Sequence, residues 1–343
     1  MGELINNSNC TIAVDAMGGD FAPKNVVLGS IQAMKENPGM DVLLVGRKED
    51  IQKVLAEEGL SFKAENITHT DQVIDMHDSP TAALKSKKDS SIVVGAQLVK
   101  DKKADAFVSA GNTGAVMAAG TLIMGRIPGI GRPTIGATIP TSLGGICSVY
   151  DAGASVDSKP RHLFEYAILG TIFAREIRGI QKPKVGLLSV GEEKSKGNEL
   201  TFETYKLLEK SGLNFVGNVE GRDILKGEVE VILCDGFVGN IILKFAESVP
   251  TFLKAKLKAY ADKGIINALK ILAFKGTLKE VLKDMDYQYY GGVPLLGVNG
   301  ICIIGHGSST PLAIKNMVVR AKEMHEKNLI QKFEEALTTY ADK

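Results

Sequence analysis

One pattern recurs five times in this sequence of 343 residues. A short apolar run ends in a polar loop that contains glycine, and a segment with helical spacing of its apolar residues follows. The runs and their loops are Thr11-Ile12-Ala13-Val14 with DAMGGD, 106–108 with SAGNTGA, 185–188 with SVGEEKSKGNE, 229–233 with CDGFVGN and 301–304 with GHGSST. Such repeated units predict a Rossmann-like α/β fold, with a mostly parallel sheet and helices on both faces.

The loops that follow parallel strands gather at the carboxyl edge of a sheet, where ligands bind. We therefore expect the five glycine loops to share one rim. Helix N-termini in such loops present backbone N–H groups to an anion, and glycine lets the anion approach closely. An anion site also needs a cation. The loops contain two, Lys194 and Lys196, and Lys196 is the better placed because Gly197 and Asn198 follow it.

Each polar side chain of this rim also has a purely structural interpretation. Aspartate, asparagine, serine and threonine cap helices or form turns, and a histidine in a loop needs no function. The residues concerned are Asp15, Asp20, Asn112, Thr113, Lys196, Asn198, Glu199, Asp235, Asn240, His306, Ser308, Ser309 and Thr310. Taken singly, each residue leaves both interpretations open, whereas their convergence on one rim favours an anion site.

The domain organisation is less distinctive. The chain is long enough for one large domain or for two interlocked lobes, and no Pro- or Ser-rich linker marks a boundary. We predict a single α/β domain over residues 1–343. Apolar residues at helical spacing predict helices over 25–35, 82–100 and 164–177.

Residues 246–286, which we call the arm, depart from the repeated pattern. They contain no strand signal, and their apolar positions trace helical faces that are interrupted at Gly264 and Gly276. We predict a helical hairpin inserted in the domain and projecting from the sheet. Between positions 254 and 279 the arm has seven lysines and one acid, Asp262.

Several classes of function are disfavoured. The formal net charge of +1 argues against a general nucleic-acid binder. The four cysteines are scattered singly through apolar runs, which predicts buried thiols, a reducing cytosol and no metal site. No phosphate-binding P-loop, dinucleotide fingerprint or nucleophile elbow is present. The opening MGELINNSNC has no basic start or apolar core, so we expect no export.

Nine motifs in register carry a family resemblance between residues 11 and 322. They are IAVDAMGGD-x-AP, KKDSS, ADAFVSAGNTGA, GRI-x-GI-x-RP, KGNEL, NVEGRDIL, CDGF-x-GN, YGG-x-PLLG and HGSS. Together they resemble the PlsX-type phosphate acyltransferases of bacterial phospholipid synthesis. The resemblance implies transfer of a fatty acyl group from acyl carrier protein to inorganic phosphate, giving acyl-phosphate for the glycerol-3-phosphate acyltransferase. It also implies no cofactor, and a fold similar to the isocitrate/isopropylmalate dehydrogenase and phosphotransacetylase group.

On this resemblance we expect Lys196 to hold phosphate or the developing oxyanion, with Asn198 and Asn240 donating to the carbonyl oxygen and His306 protonating the leaving thiolate. The other residues expected to bind substrate or phosphate are Gly111, Asn112, Thr113, Gly114, Asp15, Gly18, Gly19, Asp235, Gly239 and Ser308. Because acyl carrier protein is acidic, Lys85, Lys87 and Lys88 or the lysines of the arm are candidates for its docking surface. Solvated surface is the alternative for the first three.

The resemblance further implies a homodimer in the cytoplasm with peripheral contact to the inner face of the cytoplasmic membrane. We expect the arm to make that contact, since an apolar tip flanked by lysines suits an interfacial helix. The tip consists of Ile265, Ile266, Leu269, Ile271, Leu272 and Phe274. A dimer interface is the alternative for this surface. Two other functions remain as alternatives for the whole chain, a nicotinamide-dependent dehydrogenase on a related fold and a non-catalytic membrane scaffold.

Overall fold

The computed structural model describes residues 10–341, except for the side chains of Lys279, Asp284, Tyr287 and Ala341. The expectation about export rests on the first ten residues, and residues 1–9 lie outside the described part. The side chain of Lys279 in the arm also lies outside it. The strands are β1 Cys10–Asp15, β2 Met40–Gly46, β3 Ile67–His69, β4 Ala106–Ser109, β5 Thr134–Pro140, β6 Ile146–Tyr150, β7 Val185–Leu188, β8 Phe215–Val219, β9 Val231–Leu233, β10 Val293–Leu296 and β11 Ile301–Ile304.

The helices alternate with these strands along most of the chain. They are α1 Lys24–Glu36, α2 Lys48–Glu57, α3 Pro80–Ser86, α4 Ser91–Lys100, α5 Thr113–Ala119, α6 Pro160–Arg178, α7 Glu199–Lys210, α8 Gly236–Ala261, α9 Ile265–Val281, α10 Pro311–Glu326 and α11 Leu329–Ala341. All five apolar runs of the repeated pattern form strands, and helices α1, α5, α7, α8 and α10 follow their loops.

The described chain forms two compact units. The first contains residues 10–136, 168–182 and 288–341, and the second contains residues 137–167 and 183–287. In the first unit the strand order is β3-β2-β1-β4-β11-β10-β5, parallel from β3 to β11, with β10 antiparallel to both neighbours. In the second unit β6-β9-β7-β8 are all parallel. The predicted mostly parallel α/β sheet is confirmed.

Burial explains the continuous apolar runs of the parallel strands. Every residue of β4, β9 and β11 is buried, as strands covered on both faces must be. Because neighbouring parallel strands end at the same edge, the loops after β1, β4 and β11 are neighbours in the first unit. The loops after β7 and β9 are neighbours in the second.

The segment 82–100 forms two helices, whereas its spacing predicted one. Ser90 ends the intervening turn and caps α4, its hydroxyl accepting a hydrogen bond from the Val93 N–H at 3.4 Å. The Asp89 carboxylate accepts from the Asp71 N–H at 2.8 Å and so ties the turn to a distant loop. These polar contacts break a helix that apolar spacing alone would continue.

The arm lies in α8, α9 and the short turns after them. Helix α8 begins at Gly236, directly after the loop of β9, and packs against α9. The chain turns before α9 at Gly264, whose φ is +150°. Gly276 lies inside α9 and does not interrupt it, because one glycine in a helix costs only about 1 kcal/mol relative to alanine. No helix within the described residues is long and apolar enough to cross a membrane.

Candidate functional site

The loop after β7 is held in place by its neighbours in the second unit. The Asn218 amide on β8 donates to the carbonyl oxygens of Glu193 at 3.0 Å and Lys196 at 3.4 Å. The Ser189 hydroxyl also donates to the Lys196 carbonyl, at 3.1 Å. The backbone on both sides of the Lys196 side chain is therefore fixed. Sequence reasoning assigned no role to Asn218.

Gly197 and Asn198 join this loop to helix α7. Gly197 has φ +125°, and a Cβ atom there would lie 2.0 Å from the Thr201 hydroxyl oxygen, so only glycine fits. The Asn198 amide oxygen accepts from the Thr201 N–H at 3.0 Å, and the Thr201 hydroxyl accepts from the Asn198 N–H at 2.8 Å. This capping box occupies the amide oxygen. The amide NH2 is then the part of Asn198 that can donate to a ligand.

The two lysines of the loop have different surroundings. The Lys194 ammonium donates to both carboxylate oxygens of Glu209 and lies 4.9 Å from the centre of the Tyr205 ring. Lys196 is exposed, and its ammonium has no ion pair or hydrogen bond with any residue from 10 to 341. Of the two cations, Lys196 is the one whose charge is available to an anionic ligand.

An apolar cavity of about 460 Å³ opens beside this loop. We call it the α7–α8 cavity, since both helices contribute to it. Its lining residues are Leu163, Leu187, Leu188, Ser189, Val190, Gly197, Asn198, Leu200, Thr201, Gly221, Cys234, Asp235, Val238 and Ile242. The polar members include Asn198 and Asp235, which are both helix caps. No local sequence pattern indicated this cavity.

Close backbone packing places the start of helix α8. Asp235 caps the helix by accepting from the Val238 N–H at 3.0 Å. A Cβ atom on Gly239 would lie 1.7 Å from the carbonyl oxygen of Asp151, so the glycine is required for this approach. The next residue, Asn240, is exposed, and its side chain lies beside Gly153.

Asp151 organises the loop on which α8 packs. It is fully buried, and its carboxylate accepts from the N–H groups of Gly153, Ala154 and Ser155. Burial raises the pKa of this carboxyl group, and the hydrogen bonds oppose that effect. The role of Asp151 in positioning α8 depends on a contact across the fold, and the sequence analysis missed it.

In the first unit, the loops after β1 and β4 meet at Asp15. Its buried carboxylate accepts from the Ser109 hydroxyl at 2.7 Å and from the Met17 N–H at 3.1 Å. Burial raises the pKa of Asp15, and these hydrogen bonds lower it in part. A Cβ atom on Gly18 would lie 2.4 Å from the Asp15 carboxylate and 2.7 Å from the Gly111 nitrogen. Asp15, Gly18 and Gly111 thus form one tightly packed group.

The loop after β11 joins the same edge of the first unit. The Asp20 N–H donates to the Gly307 carbonyl at 2.7 Å, and Gly19, with φ +108°, lies against that same oxygen. In the same loop the Ser308 N–H donates to the His306 ring at Nδ1, at 3.2 Å.

Asn112 has a structural task in the first unit. Its amide oxygen caps α5 by accepting from the Ala115 N–H at 3.0 Å, and its NH2 donates to three carbonyl groups of the loop at 75–78. Gly114 packs on Pro80, where a Cβ atom would come within 2.6 Å of the ring. Thr113 is exposed between them. The Asn112 side chain therefore serves the helix start, and the Gly111 N–H donates to the Ser109 hydroxyl at 3.1 Å. The N–H groups of Asn112, Thr113 and Gly114 are what this segment can offer an anion.

Residues 10–332 match the model of a protein family described as fatty acid synthesis protein. The chain belongs to this family. A curated relative from Halothermothrix orenii, named phosphate acyltransferase, is 46% identical over 321 residues, covering 93% of this chain and 96% of the relative. A phosphate acyltransferase from Desulfitobacterium hafniense is 48% identical over 330 residues, covering 96% of this chain and 98% of the relative. The resemblance to PlsX-type phosphate acyltransferases is confirmed.

The fold of this chain also resembles those of solved structures. A phosphotransacetylase from Streptococcus pyogenes has a TM-score of 0.59 at 17% identity, covering 96% of this chain and 94% of that one. The EutD phosphotransacetylase from Staphylococcus aureus also has a TM-score of 0.59, at 16% identity, covering 93% and 95%. The expected similarity to the phosphotransacetylase group is therefore confirmed for the fold.

Within each of the two units, the fold brings several of the predicted site residues together. In the second unit, Gly197, Asn198 and Asp235 line the α7–α8 cavity, and Lys196 directly precedes Gly197 in the chain. The first unit packs Asp15, Gly18, Gly19 and Gly111 into one group around the ends of β1 and β4. Their functional roles stay predictions.

Proposed function

We propose that this chain transfers a fatty acyl group from acyl carrier protein to inorganic phosphate, and releases acyl-phosphate and the thiol of the carrier. The observation that carries the proposal is the position of Lys196. Its ammonium, without a partner among residues 10–341, belongs to a fixed loop that lines an apolar cavity. A cation beside apolar space suits a substrate with an anionic reacting end and a fatty chain.

The proposed reaction does not require a nucleophile from the protein. Phosphate is already an anionic nucleophile, so one of its oxygens forms a bond to the thioester carbonyl carbon, and the carbon–sulfur bond then breaks. Negative charge develops on the carbonyl oxygen between these two steps. The Lys196 charge and the NH2 groups of Asn198 and Asn240 are the predicted donors to that oxygen, and donors fixed in advance stabilise a transition state efficiently.

The second unit supports a mechanism without a covalent enzyme intermediate. Cys234, the thiol of the α7–α8 cavity, is buried, and its pKa is raised well above the usual value by burial. A thiol held in its protonated form is a poor nucleophile. Direct attack by phosphate therefore accounts for the transfer with fewer requirements.

We assign the first unit the remaining predicted roles. In the segment from Gly111 to Gly114, the backbone N–H groups of the last three residues are proposed to bind phosphate. Asp15, Gly18 and Gly19 are proposed to keep the loops in place. His306 is proposed to donate a proton from Nε2 of the protonated ring to the leaving thiolate, which leaves the neutral imidazole, with the Ser308 hydroxyl 2.8 Å from Nδ1 orienting the ring.

The proposed docking surface for acyl carrier protein excludes one of the predicted lysines. Lys87 has its ammonium 2.5 Å from Asp78 and 3.5 Å from Asp75, and it also donates to the Val73 carbonyl. Lys85 and Lys88 are exposed and remain candidates, together with the lysines of the arm. Their positive charge would steer an acidic carrier protein to its site.

We also propose that the arm contacts the cytoplasmic face of the membrane, where the acyl-phosphate would pass to the glycerol-3-phosphate acyltransferase. Four apolar side chains at its tip, Ile265, Ile266, Leu272 and Phe274, are between 64% and 78% exposed. Leu269 is also exposed, and Ile271 is half-buried. The exposed lysines are Lys254, Lys256, Lys258, Lys263, Lys270 and Lys275. The competing proposal is that the same apolar surface forms the interface of the predicted homodimer.

An assay of the purified full-length chain tests the central proposal. Long-chain acyl carrier protein is supplied with and without phosphate, and the free carrier thiol and the hydroxylamine-reactive acyl-phosphate are both measured. We expect the two products to appear in equal amounts and only with phosphate. The proposal is rejected if the carrier thiol is released without phosphate. It is also rejected if an added nicotinamide cofactor is oxidised or reduced while no acyl-phosphate forms. The absence of any turnover would favour the scaffold alternative.

A further inference from the structure

We propose that the α7–α8 cavity holds the alkyl chain of the acyl group, and that Leu163, Leu187 and Cys234 at its floor set the preferred chain length. This inference rests on the proposed acyl transfer and adds to it a specific site in the second unit. It assigns the cavity one occupant, a saturated acyl chain that enters with its methyl end first.

Burial defines a direction within the cavity. Leu163, Leu187 and Cys234 are only 1%, 0% and 4% exposed, so they form its inner end. Val190 and Val238 are 82% and 36% exposed, so they lie at its mouth. A ligand in the cavity therefore has one end among fully buried apolar atoms and the other in contact with water.

The floor excludes charged and strongly polar ligands. Leu163 and Leu187 are hydrocarbon, and burial keeps the neighbouring Cys234 thiol neutral by raising its pKa. Among the polar lining residues, Asn198 and Asp235 each use a side-chain oxygen as a helix cap, at the starts of α7 and α8. A polar group brought to the floor would lose its hydrogen bonds with water and gain no replacement, whereas an alkyl chain has none to lose.

The mouth of the cavity adjoins the candidate catalytic lysine. Gly197 and Asn198 line the cavity, and Lys196 precedes them directly in the chain. An acyl group with its methyl end inward would bring its carbonyl carbon to this rim. The cavity volume of about 460 Å³ lies in the range of about 300–1,000 Å³ found for small-molecule pockets. Each buried methylene should strengthen binding about fourfold until the chain reaches the floor.

A pair of leucine variants in α6 tests the role of the floor. Leu163 lines the cavity, whereas Leu169 is equally buried in the same helix but does not line it. We compare kcat/KM for acyl carrier proteins with chains of about 10 to 18 carbons, a range matched to this cavity volume. The measure is the ratio of two kcat/KM values, that for the chain two carbons longer than the parent's best chain divided by that for the best chain. Leu163→Ala should raise this ratio by about tenfold, because it deepens the cavity.

Leu169→Ala is the matched control, since it also removes a buried leucine and lowers stability. Its chain-length profile should keep the parent optimum. If both variants keep that optimum, or if both shift it equally, the floor does not measure the chain and the inference is wrong.

A binding experiment tests occupancy without turnover. The sequence contains no tryptophan, so Val238→Trp at the mouth provides a single fluorescent reporter, and Ile241→Trp on the same helix outside the cavity provides its control. Dodecyl phosphate should shift the emission of Val238→Trp to shorter wavelength in a saturable manner. Inorganic phosphate should not, and Ile241→Trp should respond to neither.

The two experiments separate the cavity from the reaction. If the parent enzyme forms no acyl-phosphate with any donor, the proposed function fails whatever the reporter shows. If it does form acyl-phosphate while Val238→Trp gives no saturable response to dodecyl phosphate, or the same response as Ile241→Trp, the alkyl chain binds elsewhere and this inference alone is overturned.

Discussion

The Lys194 ammonium donates to both carboxylate oxygens of Glu209, at 2.7 and 2.8 Å. The hydrogen bond to Glu209 raises the pKa of Lys194, so this lysine stays charged and holds the loop against α7. Lys196, two residues later in the loop, has no such partner within the described part of the chain. Two lysines that look equivalent in the sequence are therefore expected to have separate tasks.

Substituting each lysine in turn tests this division. Lys196→Ala should lower kcat/KM for phosphate-dependent acyl transfer by about 10²–10³-fold, the loss typical of removing one oxyanion donor. It should change the unfolding temperature little, because the exposed ammonium makes no ion pair or hydrogen bond within the described residues. Lys194→Ala should keep activity within a few-fold, since it removes an exposed ion pair with Glu209 and a contact with the Tyr205 ring, neither of which touches the substrate. If initial rates show Lys196→Ala within a few-fold of the parent while it remains folded, the proposed role of Lys196 fails.

The two functions of the Asn198 side chain can be separated by substitution. Aspartate keeps an oxygen that caps α7 but lacks the NH2 group, and it adds a negative charge beside Lys196. Asn198→Asp should therefore keep the unfolding temperature and lose at least about tenfold in kcat/KM, as expected when an oxyanion donor is removed. Asn198→Ala removes the cap as well and should cost about 1 kcal/mol of stability. A fully active Asn198→Asp variant would show that only the cap matters.

The parts of this fold that follow from local sequence were predictable, and the long-range contacts were not. The strand before SVGEEKSKGNE and the helix after it follow from apolar runs and glycine, and a cap at Asn198 fits the same local rules. The contact of Asn218 with this loop depends on the pairing of β8 with β7, and neither the α7–α8 cavity nor the role of Asp151 has a local signature. The boundaries of the two units were also hidden, because the first unit is assembled from three separate segments with no linker between them.

Asp15 and Asp78 in the first unit should respond to pH in opposite directions. Burial raises the pKa of Asp15 in the folded state, so its contribution to stability is present below the unfolded pKa of about 4 and is lost as the pH rises through the folded pKa. The hydrogen bond from Lys87 lowers the pKa of Asp78, so its contribution is present above about pH 4 and is lost as the pH falls through the folded pKa.

Urea unfolding of Asp15→Asn and Asp78→Asn at several pH values measures this difference. Asparagine does not titrate, so Asp15→Asn should gain stability relative to the parent as the pH is raised from about 4 toward neutral. Asp78→Asn should instead approach the parent as the pH is lowered below about 4, where the parent loses its charged pair. Equal pH profiles for the parent and Asp15→Asn would mean that the buried carboxyl does not titrate differently on folding.

The tip of the arm is the last testable feature, and its two proposed uses give different results. Ile266→Asp combined with Leu269→Asp places two charges on the exposed apolar surface of α9, and inserting charged groups into a bilayer interface is unfavourable. The parent should float with liposomes, more strongly as anionic lipid increases, because exposed lysines flank the tip. The double variant should stay in solution while its phosphate-dependent activity on soluble acyl carrier protein persists.

Leu143→Asp combined with Val156→Asp changes equally exposed apolar residues of the second unit outside the arm, and it should float like the parent. If the tip variant still floats but sediments as a monomer where the parent is a dimer, the surface serves dimerisation and the membrane proposal is wrong.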